Sequence, residues 1–276
     1  MNINNTEYKL CLLDTNALTS FIQNPYKWIS YFDHHFEIKN TLICYSIFSL
    51  CELWYRKEIF EQYLDVFSWY PSLVLDGHES IFQKELLNYF DQNEINPIVI
   101  SPTTIYEKGL SKKAILQKLF LTEHFINRTH FWKDQENEIL QSIIELKKNY
   151  PPNKGNYSIK EIEKFNYFVT IEQIGFRAPD FSKKIILSNQ LLDIKRFPSI
   201  NMTNYMVFYK FYPDNRKPLD SDIFDIIITA ICPYVDCIIT EGNVCNIINV
   251  IQKRHNFLNN CKAYSLKDIN QKISII

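Results

Sequence analysis

Short, continuous apolar runs and longer stretches with helical spacing alternate along this chain. The first run covers residues 9–13 and ends at Asp14, and the second covers residues 41–45 and ends at Ser46, a good helix N-cap. Continuous apolar runs are typical of strands that are covered on both faces of a parallel sheet. The pattern therefore predicts central parallel strands, each followed by a helix.

Two of the predicted helices carry acidic residues. Helical spacing extends over residues 47–60, with Glu52 in the first two turns. A second helix is predicted from the residues after Asp220, which can cap it, to Cys232, where Pro233 ends it. A strand over residues 235–240, a helix over 244–253 and a last strand over 263–266 complete this end of the chain.

The long middle part, residues 61–217, is mainly helical by its spacing. Its helical stretches cover residues 111–150, 160–173 and 182–193. Two short apolar runs, at 73–75 and 98–100, have the length of strands. The sequence thus predicts an α/β core formed by residues 1–60 and 218–276, with a mainly helical insertion that can add elements to that core.

Composition limits the class of protein. With 276 residues, 46% of them hydrophobic, the chain can bury a large core. None of the five glycines forms the phosphate-binding loop of dinucleotide or P-loop enzymes. The polar start and the lack of an apolar run of about 18–20 residues predict a cytoplasmic protein without a membrane span.

The net charge and the cysteine content exclude few further classes of protein. The formal net charge of −1 leaves nucleic-acid binding open, since acids in one pocket can offset basic residues elsewhere. The seven cysteines show no zinc-site spacing, so most are predicted to be reduced and buried.

Asp225 lies in a very apolar predicted helix, between isoleucine and phenylalanine residues. An enclosed carboxylate is costly to desolvate, so it needs a cation, hydrogen bonds or a raised pKa. Asp222 lies three residues earlier on the same helix face. We expect water to reach Asp222 at the polar helix start and expect Asp225 to be enclosed. Two converging carboxylates are typical ligands of Mg²⁺ or Mn²⁺.

Each acidic residue also has a purely structural interpretation. Asp14 and Glu241 can be turn or cap residues. Glu52 can be an exposed helical side chain, and Asp222 a first-turn acid favoured by the helix dipole. Asp225 can belong to a buried salt bridge. The functional hypothesis is favoured because most of these residues lie near strand–helix junctions, which meet at one edge of a parallel sheet.

Four short segments, by their order and spacing, resemble the PIN-domain nucleases. They are LLDTN at 12–16, SIFSLCEL at 46–53, DIIITA at 225–230 and IITE at 238–241. The resemblance covers residues 8–60 and 218–266, somewhat over a third of the chain. It implies a Rossmann-like three-layer α/β/α sandwich around a central parallel sheet. Members of that family, many of them toxin ribonucleases, use three or four acidic residues to hold Mg²⁺ or Mn²⁺ and cut RNA.

The resemblance also implies a site, residue by residue. The residues that match the first three acids of the family are Asp14, Glu52 and Asp225. Thr15 and Asn16 match the polar residues that often follow the first acid. The family usually has an aspartate one or two positions after a threonine. Here Thr240 is followed by Glu241, so the fourth place falls to Glu241, to Asn243 or to no residue.

The resulting hypothesis is a metal-dependent endoribonuclease that cuts single-stranded RNA. Asp14 and Asp225 would bind the metal directly, and Asp222 adds a further carboxylate. Glu52 and Glu241 would hold waters or a second ion. In this mechanism the metal activates water for attack on the phosphate, so no nucleophilic side chain is needed.

Other functions stay open on the sequence. They are a catalytically silent PIN-like scaffold that binds RNA or protein, a nuclease acting on DNA, and a metal-dependent phosphohydrolase of small molecules. A protein inhibitor and a homo-oligomer are also compatible with the sequence. Nucleic-acid contacts are predicted for Arg216, Lys217, Lys253 and Arg254, which lie near the acidic motifs in sequence, although solvated helix faces are the alternative.

Overall fold

A mostly parallel β-sheet with helices on both faces forms the centre of the protein. The computed structural model describes residues 1–3, 6–91, 94–153, 157–189, 191–255, 258 and 261–275. The strands are β1 (Asn2–Ile3), β2 (Thr6–Glu7), β3 (Lys9–Leu13), β4 (Thr41–Ser46), β5 (Ser72–Leu75), β6 (Ile98–Ile100), β7 (Cys237–Thr240) and β8 (Lys262–Ser265). The α-helices are α1 (Thr15–Gln23), α2 (Pro25–His34), α3 (Ile47–Trp54), α4 (Lys57–Phe67), α5 (His78–Asn88), α6 (Lys112–Phe120), α7 (Glu123–Asn149), α8 (Ile159–Arg177), α9 (Pro179–Leu187), α10 (Pro198–Phe211), α11 (Asp220–Thr229), α12 (Gly242–His255) and α13 (Leu266–Ile275).

The order of strands brings the two ends of the chain together. The central sheet runs β6-β5-β4-β3-β7-β8, and β3 pairs in parallel with both β4 and β7. The predicted strands at 73–75 and 98–100 are present as β5 and β6, so the middle of the chain contributes to the same sheet. Only parallel strands were predicted, but the edge strand β6 is antiparallel to β5. With only three residues, the run at 98–100 is too short for its hydrophobic pattern to distinguish a parallel from an antiparallel strand.

Side chains along the strands alternate between two apolar cores. In β3, Leu10 and Leu12 pack into one core, and Cys11 and Leu13 pack into the other. Helices α7, α8, α10, α11 and α12 cover the first core, and α1, α2, α4, α6 and α13 cover the second. Because both faces are covered, most positions of the central strands are apolar. The α/β class predicted from the sequence is confirmed, and the arrangement is compatible with a three-layer sandwich.

Two predicted helices have different bounds. The helix predicted over 47–60 is split into α3 and α4 at Tyr55 and Arg56, where Arg56 leaves the helical conformation. The break turns α4 so that its own apolar face packs against α1 and α6. The helix predicted over 182–193 is α9, which starts earlier because Pro179 occupies its first turn, and which ends six residues before the predicted bound, at Leu187. The helical stretch at 111–150 forms two helices, α6 and α7, which are separated at Leu121 and Thr122. The remaining predicted helices and strands, α11 apart, are present within a few residues of their bounds.

Helix α11 is shorter than predicted and is capped differently. It ends at Thr229 rather than near Pro233, because Pro233 has no N–H to continue the helical hydrogen bonds, and residues 232–234 form a 3-10 turn instead. Asp220 is not the N-cap, which is Leu219. Asp222 takes over part of the capping role, since its Oδ2 accepts a hydrogen bond of 2.9 Å from the Leu219 N–H.

Two expectations from composition can be compared with the structure. All seven cysteines are buried and have free thiols, as predicted for most of them. In the part of the chain that the structure describes, no helix has both the length and the apolar character that crossing a membrane requires.

Candidate functional site

A pocket of about 480 Å³ lies where β3, β4 and β7 end, and charged side chains line it. Its acidic lining residues are Asp14, Glu52, Asp214, Asp222, Asp225 and Glu241. Its basic lining residues are Arg56, Lys210 and Arg216. Thr15, Asn16 and Asn243 also line it. The structure thus brings together all the acidic residues that the sequence singled out, from both ends of the chain.

Asp14 is both a helix cap and a member of this pocket. It follows β3 directly, and its Oδ1 accepts a hydrogen bond of 2.7 Å from the Ala17 N–H as the N-cap of α1. Its Oδ2 accepts one of 3.2 Å from the Glu241 N–H. Burial raises the pKa of Asp14 to about 6, and the nearby Asp225 carboxylate adds to the rise, although hydrogen bonds from Thr240, Ala17 and Glu241 oppose it.

Glu52 is partly buried and is therefore not the exposed helical side chain of the structural alternative. It projects from α3, and the Thr15 hydroxyl donates a hydrogen bond to its Oε2. Burial raises the pKa of Glu52 to about 7, against the opposing effects of Thr15 and the Arg56 guanidinium. Asp225 and Asp14 raise it further by charge repulsion. These three carboxylates therefore interact with one another.

The expectation for the two acids of α11 is wrong, because their burial is reversed. The Asp222 side chain is 4% exposed, whereas that of Asp225 is 31% exposed. Asp222 turns back over the first turn of α11 and is covered by Lys210 and Arg216. Burial would raise the pKa of Asp222, but these cations and the Leu219 N–H hold it below its ordinary value. Asp225 instead faces the pocket.

Lys210 is a buried cation that the sequence analysis missed. Its side chain is 2% exposed, and its Nζ lies 2.9 Å from Asp222 Oδ1 and 2.5 Å from Asp225 Oδ2. One oxygen of the Asp225 carboxylate thus forms the buried salt bridge that was the structural alternative for this residue. The sequence did hold a signal, because Lys210 is the single charged residue in the apolar helix α10. A lone charge in such a helix requires a partner.

The predicted fourth acid lies at the mouth of the pocket. Glu241 follows β7, is exposed, and its Oε1 accepts a hydrogen bond of 2.5 Å from the Asn16 Nδ2. Asn243, the alternative, is also exposed and lines the same pocket. Thr240 is buried behind them and contacts Asp14. The polar residues predicted around the first and fourth acids therefore all lie at this edge of the sheet.

The predicted nucleic-acid contacts divide into two groups. Arg216 lines the pocket and pairs with Asp222, and Lys217 is exposed beside it in sequence. Lys253 and Arg254 lie in the last turn of α12, roughly 15 Å along the helix axis from the pocket end of that helix at 1.5 Å per residue. Neither lines the pocket, although Arg254 interacts with Tyr209, which does.

Arg56 is a second cation that the sequence analysis missed. It is exposed, and within the described residues it has no carboxylate within 4 Å. It lines both the acidic pocket and an adjoining pocket of about 400 Å³, and Phe224 is shared by the same two pockets. A guanidinium at this position can bind a phosphate.

The acidic side chains of the pocket are of the chemical type that binds a hard divalent cation, but their spacing in the described structure does not yet suit one. Carboxylate oxygens are the ligands that Mg²⁺ and Mn²⁺ prefer. Among the described residues, however, no three Asp, Glu, His or Cys side chains lie close enough together to hold an ion. Asp225 is held by Lys210, and Glu52 by Thr15. Metal binding would therefore require these side chains to rearrange.

The raised pKa values predict that the free energy of unfolding of the metal-free protein falls between about pH 4 and pH 7. In this window Asp14 and Glu52 in the folded protein retain protons that the unfolded chain has lost. The contribution of these two groups to the free energy of unfolding is therefore complete below pH 4 and is lost as the pH rises through their folded pKa values of about 6 and 7. The loss is roughly 3 kcal/mol for each group at pH 8. Urea unfolding at pH 5 and pH 8 measures the part of this loss that occurs above pH 5, and Glu52→Gln should show the smaller difference. An equal difference in both proteins would contradict the assignment to Glu52.

Comparisons with known proteins identify no similar protein. No family model, curated protein or solved structure matches this chain. The chemistry of the pocket is therefore the basis on which a function can be argued.

Proposed function

We propose that this protein is a metal-dependent nuclease of the PIN-like type that cuts single-stranded RNA in the acidic pocket. The observation that carries the proposal is the convergence of Asp14, Glu52 and Asp225. They come from three separate parts of the chain, and burial, with a smaller contribution from the neighbouring carboxylates, raises the pKa of Asp14 and Glu52. Such a concentration of repelling acids is typical of functional sites rather than of structural ion pairs.

The strand order supports a Rossmann-like fold within this proposal. Counted from β3, the parallel strands lie in the order 3-2-1-4-5, which is the order of Rossmann-type sheets. In such sheets, ligands bind at the carboxyl edge where the order reverses, and this is the point between β3 and β7. Asp14 and Glu241 directly follow these two strands.

The proposed roles follow from where each side chain lies. Asp14 and Asp225 would hold a Mg²⁺ or Mn²⁺ ion, with Glu52 and Glu241 on either side of them. The bound ion would lower the pKa of a water molecule and neutralise the scissile phosphate. Thr15 keeps Glu52 in position by donating to its carboxylate. Arg56 would bind a phosphate next to the cleavage point.

The adjoining pocket supports a single-stranded substrate. Tyr55, Trp132 and Phe224 line it, and Glu52 and Arg56 line both this pocket and the acidic one. Unpaired bases stack on aromatic side chains, whereas bases within a duplex cannot reach them. A strand whose phosphate lies at Arg56 would therefore have room for a neighbouring base here.

A catalytically silent scaffold is the second candidate, and one observation favours it. Lys210 is already paired with Asp222 and Asp225, as in a structural ion pair. With that cation fixed in place, the pocket would bind RNA or protein without cleaving it. The two candidates differ in their response to metal.

Cleavage of labelled single-stranded RNA distinguishes them. We expect the protein to cut RNA at internal positions with Mn²⁺ or Mg²⁺ and to lose this activity in EDTA. Single-stranded DNA and a generic phosphomonoester, tested in parallel, show whether the substrate class is right. Asp225→Asn, purified in the same way, controls for contaminating nucleases. Retained RNA binding without cleavage in either metal would overturn the nuclease proposal in favour of the scaffold.

A further inference from the structure

Lys210 is too deeply buried to be an incidental surface charge. Its side chain is 2% exposed and lies in the last turn of α10, against α11. A buried ammonium is costly unless it is paired and hydrogen-bonded. Its Nζ donates to carboxylate oxygens of both Asp222 and Asp225. The ammonium is therefore a built-in part of the acidic pocket.

The two acids depend on Lys210 to different extents. Asp222 Oδ1 also lies 2.9 Å from Arg216 Nη2, and its Oδ2 accepts from the Leu219 N–H. Asp222 would thus keep a cation and a hydrogen bond without Lys210. Among the described residues, the Asp225 carboxylate has no ion pair within 4 Å except that with Lys210. The ammonium is consequently the charge partner of the more exposed of the two α11 acids that line the pocket.

Lys210 neutralises only one member of the interacting group of acids. Asp14 and Glu52 pair with no cation within 4 Å in the described part of the chain, and burial together with the Asp225 charge raises their pKa values. A divalent cation between Asp225 and these two acids would interact favourably with all three. It would also be repelled by the ammonium on the far side of Asp225.

We propose that Lys210 is an internal counter-cation that competes with the divalent metal for Asp225 and so sets the metal affinity of the pocket. This inference rests on the proposed metal-dependent function. The proposal explains why the acids of the pocket are too far apart to hold an ion in the metal-free protein, because there Asp225 is turned towards Lys210. Metal binding then requires Asp225 to give up this contact, while Asp222 continues to hold the ammonium.

The test compares Mn²⁺ binding by the wild type, Lys210→Gln and Lys210→Arg using titration calorimetry. Glutamine can still donate a hydrogen bond but carries no charge, whereas arginine keeps the charge. We expect Lys210→Gln to bind Mn²⁺ at least ~10-fold more tightly than the wild type, because the repulsion is removed. Its Tm without metal should be lower, and Lys210→Arg should stay close to the wild type in Mn²⁺ affinity.

The outcomes separate this inference from the proposed function. If the wild type binds Mn²⁺ and Lys210→Gln binds it equally or more weakly, the counter-cation role is wrong but the metal site stands. If neither protein binds Mn²⁺, both proposals fail. Should Lys210→Gln not fold, wild-type protein with ¹⁵N-labelled lysine decides: saturating Mg²⁺ must shift the signal of a buried ammonium, and an unchanged spectrum overturns the inference.

Discussion

Asp14→Asn should abolish metal-dependent cleavage while making the metal-free protein more stable. Loss of an outer-shell partner typically costs ~10–100-fold in metal affinity or activity, and a direct ligand should cost more. Asparagine caps a helix as well as aspartate does, so the contact with the Ala17 N–H can persist. At pH 8 the buried charge is gone, and we expect the free energy of unfolding to rise by about 1–2 kcal/mol.

The stability gain should be smaller than the full cost of the buried charge. The second oxygen of Asp14 accepts from the Glu241 N–H, and the amide nitrogen of asparagine cannot replace it. Asp14→Ala is the matched control, because it removes the charge and also the cap, which costs ~1 kcal/mol. Cleavage assays and urea unfolding at pH 5 and pH 8 measure both effects. Undiminished cleavage by Asp14→Asn would refute its role.

Asp222→Asn and Asp225→Asn should produce opposite defects. Asp222 is buried between Lys210 and Arg216, so its loss should destabilise the fold by roughly 2–3 kcal/mol. This is less than the ~3–5 kcal/mol that breaking a buried ion pair completely costs. In Asp222→Asn, Lys210 would still be paired with Asp225, and the Arg216 side chain would be solvated by water. Asp225 is partly exposed, and its substitution leaves Lys210 paired with Asp222. Its loss should cost little stability and should eliminate metal-dependent cleavage.

Thermal unfolding with and without Mn²⁺ measures this difference. We expect Asp222→Asn to lower the Tm by about 3–5 °C and to keep a rise in Tm on adding Mn²⁺. Asp225→Asn should have a Tm close to the wild type and no such rise, since the rise reports metal binding to the folded protein. If Asp222→Asn is the variant without a metal response, the assignment of the third acid is wrong by one helical turn.

Local sequence was sufficient for the strands and for the edge at which the acids lie. The runs at 9–13 and 41–45 are apolar at all but their first positions, which is a property of a strand covered on both faces. Asp14 follows the first run directly, and Glu52 lies in the helix after the second. Parallel strands place their carboxyl ends at one edge, so the convergence of these acids could be expected from the amino-acid order alone.

Other features depend on packing between distant parts of the chain. The spacing of Asp222 and Asp225 put them on one face of α11, but which of them is covered depends on α10 and on the loop that carries Arg216. The neighbours of Asp225 in sequence are apolar and suggested enclosure. In three dimensions that face opens onto the pocket, and the covering side chains lie over Asp222 instead.

The sequence by itself determined the α/β class, the main strands and the set of acids that share one edge of the sheet. Periodicity and order along the chain contain that information, because they fix which side chains a strand or helix buries. Only the tertiary structure decided the break at Arg56, the antiparallel edge strand and the pairing of Lys210 with the acids of α11. These features depend on contacts between helices and strands that are not neighbours in sequence. Whether the charge of Asp225 is balanced by an ammonium is therefore a property of how α10 packs on α11.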